Sequence, residues 1–368
     1  MKEETKNKNI MDYETVDFDP VTCELLLIDQ TLLPNETKII RLSTAKEIWD
    51  AIYLLKVRGA PAIGVAAAIG IYVLSARIKA SNFEEFYTEF SKQKEYLDSS
   101  RPTAVNLSWA LNRMDQICTA HKTLPLSELL EVLRKEALAI KEEDTWVCKM
   151  IGEYGLTLIK PGDGILTHCN AGQLATSKYG TATAPIYLGH EKGYNFRVFA
   201  DETRPLLQGA RLTAYELHSA GVDVTLLCDN MCSMVMKNGW IDAVFVGCDR
   251  VAANGDTANK IGTSVVATVA KYYNVPFYVC APTSTIDMSL EHGNLIPIEE
   301  RKPEEITDMW YEKPMAPKGI KAFNPAFDVT DHSLITGIVT EYGIARAPYK
   351  EAFTEIFKKK ADLLPKSR

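Results

Sequence analysis

The sequence predicts an α/β protein: a doubly wound parallel sheet in its C-terminal part, after a smaller, mainly helical N-terminal part that carries a short β segment. Three observations predict it. From Gly162 onward, short apolar runs alternate with helical patterns, the rhythm of βαβ units. From Ser43 to about Leu158 the pattern is mostly helical. From Asp17 to Ile40 it is short and strand-like. The chain has 368 residues and is 46% hydrophobic, enough for two domains with cores of their own.

Taken in order, Met1 to Asn9 is polar and rich in lysine and glutamate, without the apolar centre of a signal peptide. Residues 1–15 read as a polar tail and 16–145 as the N-terminal domain. Turn breaks at Asp19-Pro20 and Pro34-Asn35 divide its β segment. Ser43 or Thr44, followed by Glu47, is a helix-capping signal. The apolar run Ala60 to Leu74 contains Pro61 and is too short to span a bilayer, so it reads as a buried helix. Arg101-Pro102-Thr103 ends one helix and starts another.

Residues 146–368 form the second predicted domain. Its strand runs are Gly164 to His168, Phe196 to Ala200, Val222 to Leu227, Ala243 to Val246 and Pro276 to Cys280. The helical segments between them are Thr181 to Lys192, Gln208 to Ser219, Met231 to Asn238 and Ile261 to Tyr272. Right-handed crossovers join such strands. A strand order 3-2-1-4-5 makes the first and fourth strands neighbours, with the topological switch point between them. Cys169 ends the first strand and Asp249 the fourth, so they are expected to face each other across the crevice where open α/β sheets bind ligands. Lys358 to Lys360 reads as a solvated helix end.

Composition excludes several classes. A net charge of -7 argues against nonspecific nucleic-acid binding while leaving room for a local basic phosphate pocket. Of the eight cysteines, Cys118, Cys148, Cys228, Cys248 and Cys280 lie in apolar runs and read as buried free thiols. Cys228 and Cys232 have no second pair or nearby histidine to complete a zinc set, so no metal is expected. Gly255 to Lys260 lacks the Gly-Lys-Ser/Thr ending of a P-loop, which rejects nucleotide hydrolysis on that basis. The expected location is the cytoplasm.

The candidate chemistry begins with Cys169. Asn170-Ala171-Gly172 follow it and could lead into a turn and helix, whose dipole would favour the thiolate. A core cysteine at a strand end fits its position equally well. His168 precedes it on the opposite strand face, which disfavours a Cys-His pair. Asp249, beside apolar walls, would hold a proton through desolvation; alternatively it caps the next loop, or Arg250 neutralises it. Asn259-Lys260 open an expected helix, a plausible phosphate cradle with Gly262 and Thr263 in its first turn. Arg58 and Arg101 offer guanidinium groups for phosphate, although solvent exposure alone explains many single arginines. Asp201 to Pro205 forms a charged cluster or a self-paired loop, and Gln208-Gly209 begin the next helix.

At these residues the sequence resembles the methylthioribose-1-phosphate isomerase family, related to the regulatory α, β and δ subunits of the translation initiation exchange factor. The matching segments are Val57 to Gly64, Ser100 to Asn106, Thr167 to Gly172, Ala200 to Arg211, Gly247 to Arg250, Ala253 to Thr263 and Asn324 to Thr330. The resemblance implies a Rossmann-like C-terminal domain, a homodimer and no cofactor. It implies Cys169 and Asp249 as catalytic residues. Arg58, Gly59, Ala60, Arg101, Gln208, Asn259 and Lys260 are implied to bind a small sugar phosphate. The implied reaction is an aldose-ketose isomerisation of methylthioribose 1-phosphate in methionine salvage. 5-Deoxyribose 1-phosphate and ribose 1,5-bisphosphate are alternative substrates, and a non-catalytic regulatory subunit is the alternative of another class. Gln173 stands where the family pattern has a small residue; an altered pocket for the sugar's 5-substituent is the expectation there.

Overall fold

The computed structural model of the chain describes residues 9–101 and 105–363. Pro102 to Ala104 lie outside them, and with them most of the predicted Arg101-Pro102-Thr103 helix break. The chain divides into two compact units, residues 1–146 with 173–180, and residues 147–172 with 181–368.

The first unit opens with an antiparallel meander, β1 (Val16–Asp19), β2 (Glu24–Ile28) and β3 (Ile39–Leu42). Helices α1 (Ala45–Tyr53), α2 (Ala60–Ser75), α3 (Phe83–Asp98) and α4 (Val105–Ala120) follow, then α5 (Leu126–Leu156), which runs on into the second unit. Thr44 caps α1 as predicted: its hydroxyl accepts from the Glu47 N–H at 3.3 Å, and the Glu47 carboxylate accepts from the Thr44 N–H at 3.0 Å. From Ala62 onward α2 is apolar and buried on all sides, the signature of a central core helix.

The second unit is built on β4 (Gly164–Thr167), α6 (Ala184–Glu191), β5 (Arg197–Asp201), α7 (Ala214–Ser219), β6 (Asp223–Leu227), α8 (Cys232–Lys237) and β7 (Ala243–Val246). Next come β8 (Arg250–Ala252), β9 (Thr257–Lys260), α9 (Thr263–Tyr272), β10 (Phe277–Cys280), β11 (Ile286–Asp287) and α10 (Glu304–Thr307). The chain ends with β12 (Phe327–Thr330), β13 (Gly337–Thr340), β14 (Gly343–Ala345) and α11 (Tyr349–Leu363). The main sheet has the order β14-β13-β10-β7-β4-β5-β6, parallel except for β14. Its first five strands in sequence therefore take the order 3-2-1-4-5, with β4 beside β7 as expected. β4, β7 and β10 are buried along their whole length because both sheet faces are covered.

Several expectations need correction. Asn259 and Lys260 end a strand instead of opening a helix, because β9 is held in antiparallel ladders by β8 and β12. Ile261 and Gly262 then turn the chain into α9. This second sheet, β11-β8-β9-β12, leaves the main sheet directly after β7. No α-helix follows Cys169; only a three-residue 3₁₀ turn, Gln173–Ala175, intervenes before α6. Cys228 is exposed, since it lies just beyond edge strand β6, and Cys248 is partly exposed. Cys118, Cys148 and Cys280 are buried as expected.

Candidate active site

Cys169 and Asp249 stand beyond the carboxyl ends of adjacent strands. The parallel register pairs Leu166 of β4 with Val244 of β7. Beyond the strands the two loops touch through Gly247, where an added Cβ would lie 2.4 Å from the Ala171 Cβ. Only a glycine permits that approach. Asp249 then bends the chain into β8, and its N–H donates to the Ala258 carbonyl at 2.9 Å. β8 pairs Arg250 with Ala258 in antiparallel register, so one step further sets Asp249 opposite Asn259. The second sheet thereby brings Asn259 and Lys260 to the same edge as Asp249.

Asp249 itself is exposed, so this chain does not supply the desolvation expected for it. Its neighbour Arg250 donates to Asp287 at 2.8 Å. Asn259 is buried, and its amide donates to the Thr263 hydroxyl at 3.1 Å. Lys260 donates to the Ala326 carbonyl at 2.9 Å and lies 4.4 Å from the centre of the Phe327 ring.

Cys169 is 7% exposed, and its backbone is left-handed with φ of 66°. Such a conformation costs a residue with a side chain about 1–3 kcal/mol and persists only where the surroundings fix it. Here two buried threonines do so. The Cys169 N–H donates to the Thr203 hydroxyl at 2.8 Å, and the Thr213 hydroxyl donates to the Cys169 carbonyl at 2.6 Å. Burial pushes the thiol of Cys118, in the core of the first unit, up to about 12, where it stays protonated.

His168 faces away from any thiol pairing, as expected. Its Nδ1 lies 3.0 Å from the Asp201 carboxylate and its Nε2 lies 2.9 Å from the Ile261 carbonyl. Burial opposes its charge, but the Asp201 carboxylate and the carbonyl outweigh burial and raise its pKa. The Asp201–Pro205 loop is held from outside: Asp229 accepts from the N–H groups of Thr203 and Arg204, each at 2.7 Å. His168, Asp201 and Asp229 have ligand-type atoms within 4.8 Å of one another. His168 Nδ1, Asp201 Oδ2 and both Asp229 oxygens make the bonds just described, while Asp201 Oδ1 is buried with no hydrogen-bond partner among the described residues.

Gln208 is 5% exposed, and its Oε1 has no hydrogen-bond partner among the described residues. A buried acceptor left open in this way suits an incoming hydroxyl donor. It stands directly before a π-helical turn, Gly209–Thr213, where a regular helix was expected.

The remaining predicted binding residues lie in the first unit. Arg58 is half-buried ahead of α2, Gly59 caps that helix, and Ala60 is its first residue. Gly59 has φ of 86°, and a Cβ there would lie 2.5 Å from atoms of Ala175. Arg101 is half-buried after α3. Gln173 is fully buried, and its amide nitrogen donates to the carbonyls of Ile10 at 3.1 Å and Tyr13 at 2.9 Å. Its donors therefore hold the segment before β1 in place. Sequence reasoning placed Asp201 and Thr203 near Cys169 but missed Thr213 and the bonds by which Thr203, Thr213 and the His168–Asp201 pair surround it. Thr203 and Asp201 stand within a segment that matches the family, but nothing local in the sequence marks the left-handed turn they serve.

The architecture is that of a doubly wound α/β protein with a thiol and a carboxyl beyond adjacent strand ends at its switch point. The chain belongs to the initiation factor 2 subunit family, whose model matches residues 56–347. It is 65% identical over 349 residues to a methylthioribose-1-phosphate isomerase from Symbiobacterium thermophilum, covering 95% of this chain and 97% of that protein. It is 58% identical over 334 residues to a 5-deoxyribose 1-phosphate isomerase from Petrotoga mobilis, covering 91% and 96%. Among solved structures, 5-methylthioribose 1-phosphate isomerase from Pyrococcus horikoshii aligns with a TM-score of 0.90 at 43% identity, covering 94% of this chain and 96% of that one. Among the described residues, no helix is long and apolar enough to cross a membrane.

Proposed function

We propose that this chain is an aldose-ketose isomerase of 5-modified ribose 1-phosphates, converting S-methyl-5-thio-α-D-ribose 1-phosphate to the corresponding ribulose 1-phosphate. The observation that carries the proposal is the close approach of the loops bearing Cys169 and Asp249, allowed by Gly247 against Ala171. The extensive identity to an isomerase of that name supports the substrate. In the proposal, Arg58, Gly59, Ala60, Arg101, Gln208, Asn259 and Lys260 bind the sugar phosphate. The protein acts as a cytoplasmic homodimer.

The substrate dictates the chemistry. Its anomeric oxygen carries the phosphate, so the ring cannot open as a free sugar does. Asp249, protonated once bound substrate covers it, gives its proton to the ring oxygen as the C1–O bond breaks. C1 becomes cationic. Hydrogen then leaves C2 for C1, and the 2-hydroxyl proton is released to leave the ketone. Two routes satisfy this balance. In one, the Cys169 thiolate takes the C2 proton and returns it to C1 through an enol. In the other, C2 hydrogen moves directly as hydride and Cys169 accepts the hydroxyl proton. Both keep the oxidation and the reduction within one substrate, so neither requires a redox cofactor.

A coupled assay for ketose on S-methyl-5-thioribose 1-phosphate, 5-deoxyribose 1-phosphate and ribose 1,5-bisphosphate tests the proposal. Turnover of the first is expected. Preference for the second would move the chain to the specificity named for its relative from Petrotoga mobilis. Turnover of ribose 1,5-bisphosphate alone would change the substrate, and no turnover of any of the three would place the chain with non-catalytic members of its family. Substrate deuterated at C2 tests the enol route: washout of label from C1 of the product supports it, and full retention rules out full exchange with solvent.

A further inference from the structure

Cys169 adopts a conformation that its own side chain disfavours, and two buried threonine hydroxyls bond the peptide groups on either side of it. Thr203 and Thr213 are both fully buried. The Thr203 hydroxyl accepts from the Cys169 N–H at 2.8 Å and donates to the Asp201 carbonyl at 3.1 Å. The Thr213 hydroxyl donates to the Cys169 carbonyl at 2.6 Å and accepts from the Asn170 side-chain amide at 3.1 Å. Each hydroxyl thus spends its one proton and a lone pair in a fixed direction, which settles the orientation of both.

The elements behind these threonines are themselves irregular. Thr203 is left-handed, with φ of 63°, and Asp229 bonds its N–H. Thr213 closes the π-helical turn, in which the Ala214 N–H reaches back to the Gly209 carbonyl. A π-turn holds one more residue per ring than an α-helix and is frequent at functional sites. A Cβ at Gly209 would lie 1.7 Å from the Asp201 carbonyl, so the turn packs directly on the end of β5. The same turn follows Gln208, whose Oε1 is left open.

We propose that Thr203 and Thr213 are positioning residues for the isomerisation, clamping the peptide groups on either side of the Cys169 Cα so that the thiol is presented to C2 of the bound sugar. The π-turn is the device that lets one short element place both Gln208 and the Thr213 end of the clamp. This inference rests on Cys169 being catalytic. Neither threonine need touch substrate, so loosening the clamp lowers the rate of the chemical step and leaves sugar-phosphate binding intact.

The experiment compares wild type, Thr213→Val, Thr213→Ser and Cys169→Ala on S-methyl-5-thioribose 1-phosphate, reading kcat and KM separately. Valine keeps the shape and removes the hydroxyl; serine keeps the hydroxyl. Thr213→Val is expected to lose about a hundredfold in kcat, the scale of a small misplacement of a reacting group, with KM within about threefold. Thr213→Ser is expected to recover most of that loss. Wild-type kcat in Thr213→Val, or a rise in KM alone, would overturn the proposal while Cys169→Ala stays inactive. Turnover by Cys169→Ala would instead remove the catalytic reading of Cys169. If Thr213→Val does not fold, Thr213→Ala takes its place, and a serine variant no faster than the alanine variant would overturn the clamp.

Discussion

Gly247 and Gln173 show how single side chains decide what the loops around the sheet edge can do. Gly247→Ala would drive a methyl group into Ala171, so it is expected to destabilise the fold by about 1–3 kcal/mol and to lower turnover. Ala171→Gly in the same chain should restore both. Melting and kcat measure this, and an unaltered single variant would separate the two loops functionally. Gln173→Ala deletes a buried amide that holds the segment before β1. It is expected to lower the melting temperature while leaving the ratio of kcat/KM for the methylthio and deoxy sugars unchanged; a changed ratio would return Gln173 to the substrate pocket. His168 adds a pH dependence. Both its nitrogens face acceptors, and its folded-state pKa is raised. Its contribution to stability is therefore complete below its unfolded value of about 6.5 and is lost as pH rises through the folded value. The denaturant midpoint of wild type should fall across that interval, and His168→Gln should lack that component of the fall.

At the scale of elements, the second sheet is what sequence patterning could not supply. Asn259 and Lys260 were legible as binding residues through their family match but not as strand residues. Thr257 to Lys260 has no apolar alternation; its strand character comes from β8 and β12, far apart in sequence. α9 accordingly starts later than expected, and its start is capped from β12: the Asp328 carboxylate accepts from the N–H of Gly262 at 2.8 Å and of Ser264 at 3.2 Å. Asp328→Ala should cost about 1 kcal/mol or more, as for a lost helix cap. It should also raise KM more than it lowers kcat, because Lys260 sits just ahead of this turn. A kcat loss with unchanged KM would disconnect the cap from sugar-phosphate binding. The left-handed turn at Cys169 was equally hidden, since its cause is two threonine hydroxyls contributed by other elements.

For the molecule as a whole, the strand order was legible because each central strand is an apolar run punctuated by a helical segment, and right-handed crossovers leave few ways to connect them. That order alone carries Cys169 and Asp249 to adjacent strand ends. What it could not fix was exposure: Asp249 is exposed where a carboxyl beside apolar walls was expected. The most direct measurement is ketose formation by wild type, Cys169→Ser, Asp249→Asn and the double variant on S-methyl-5-thioribose 1-phosphate. If thiol and carboxyl act together on one sugar, each single variant loses about three orders of magnitude or more in kcat, and the double variant loses little beyond the worse single. A single variant that keeps more than about a tenth of wild-type kcat, or a double variant that loses the full product of both, would contradict a shared site.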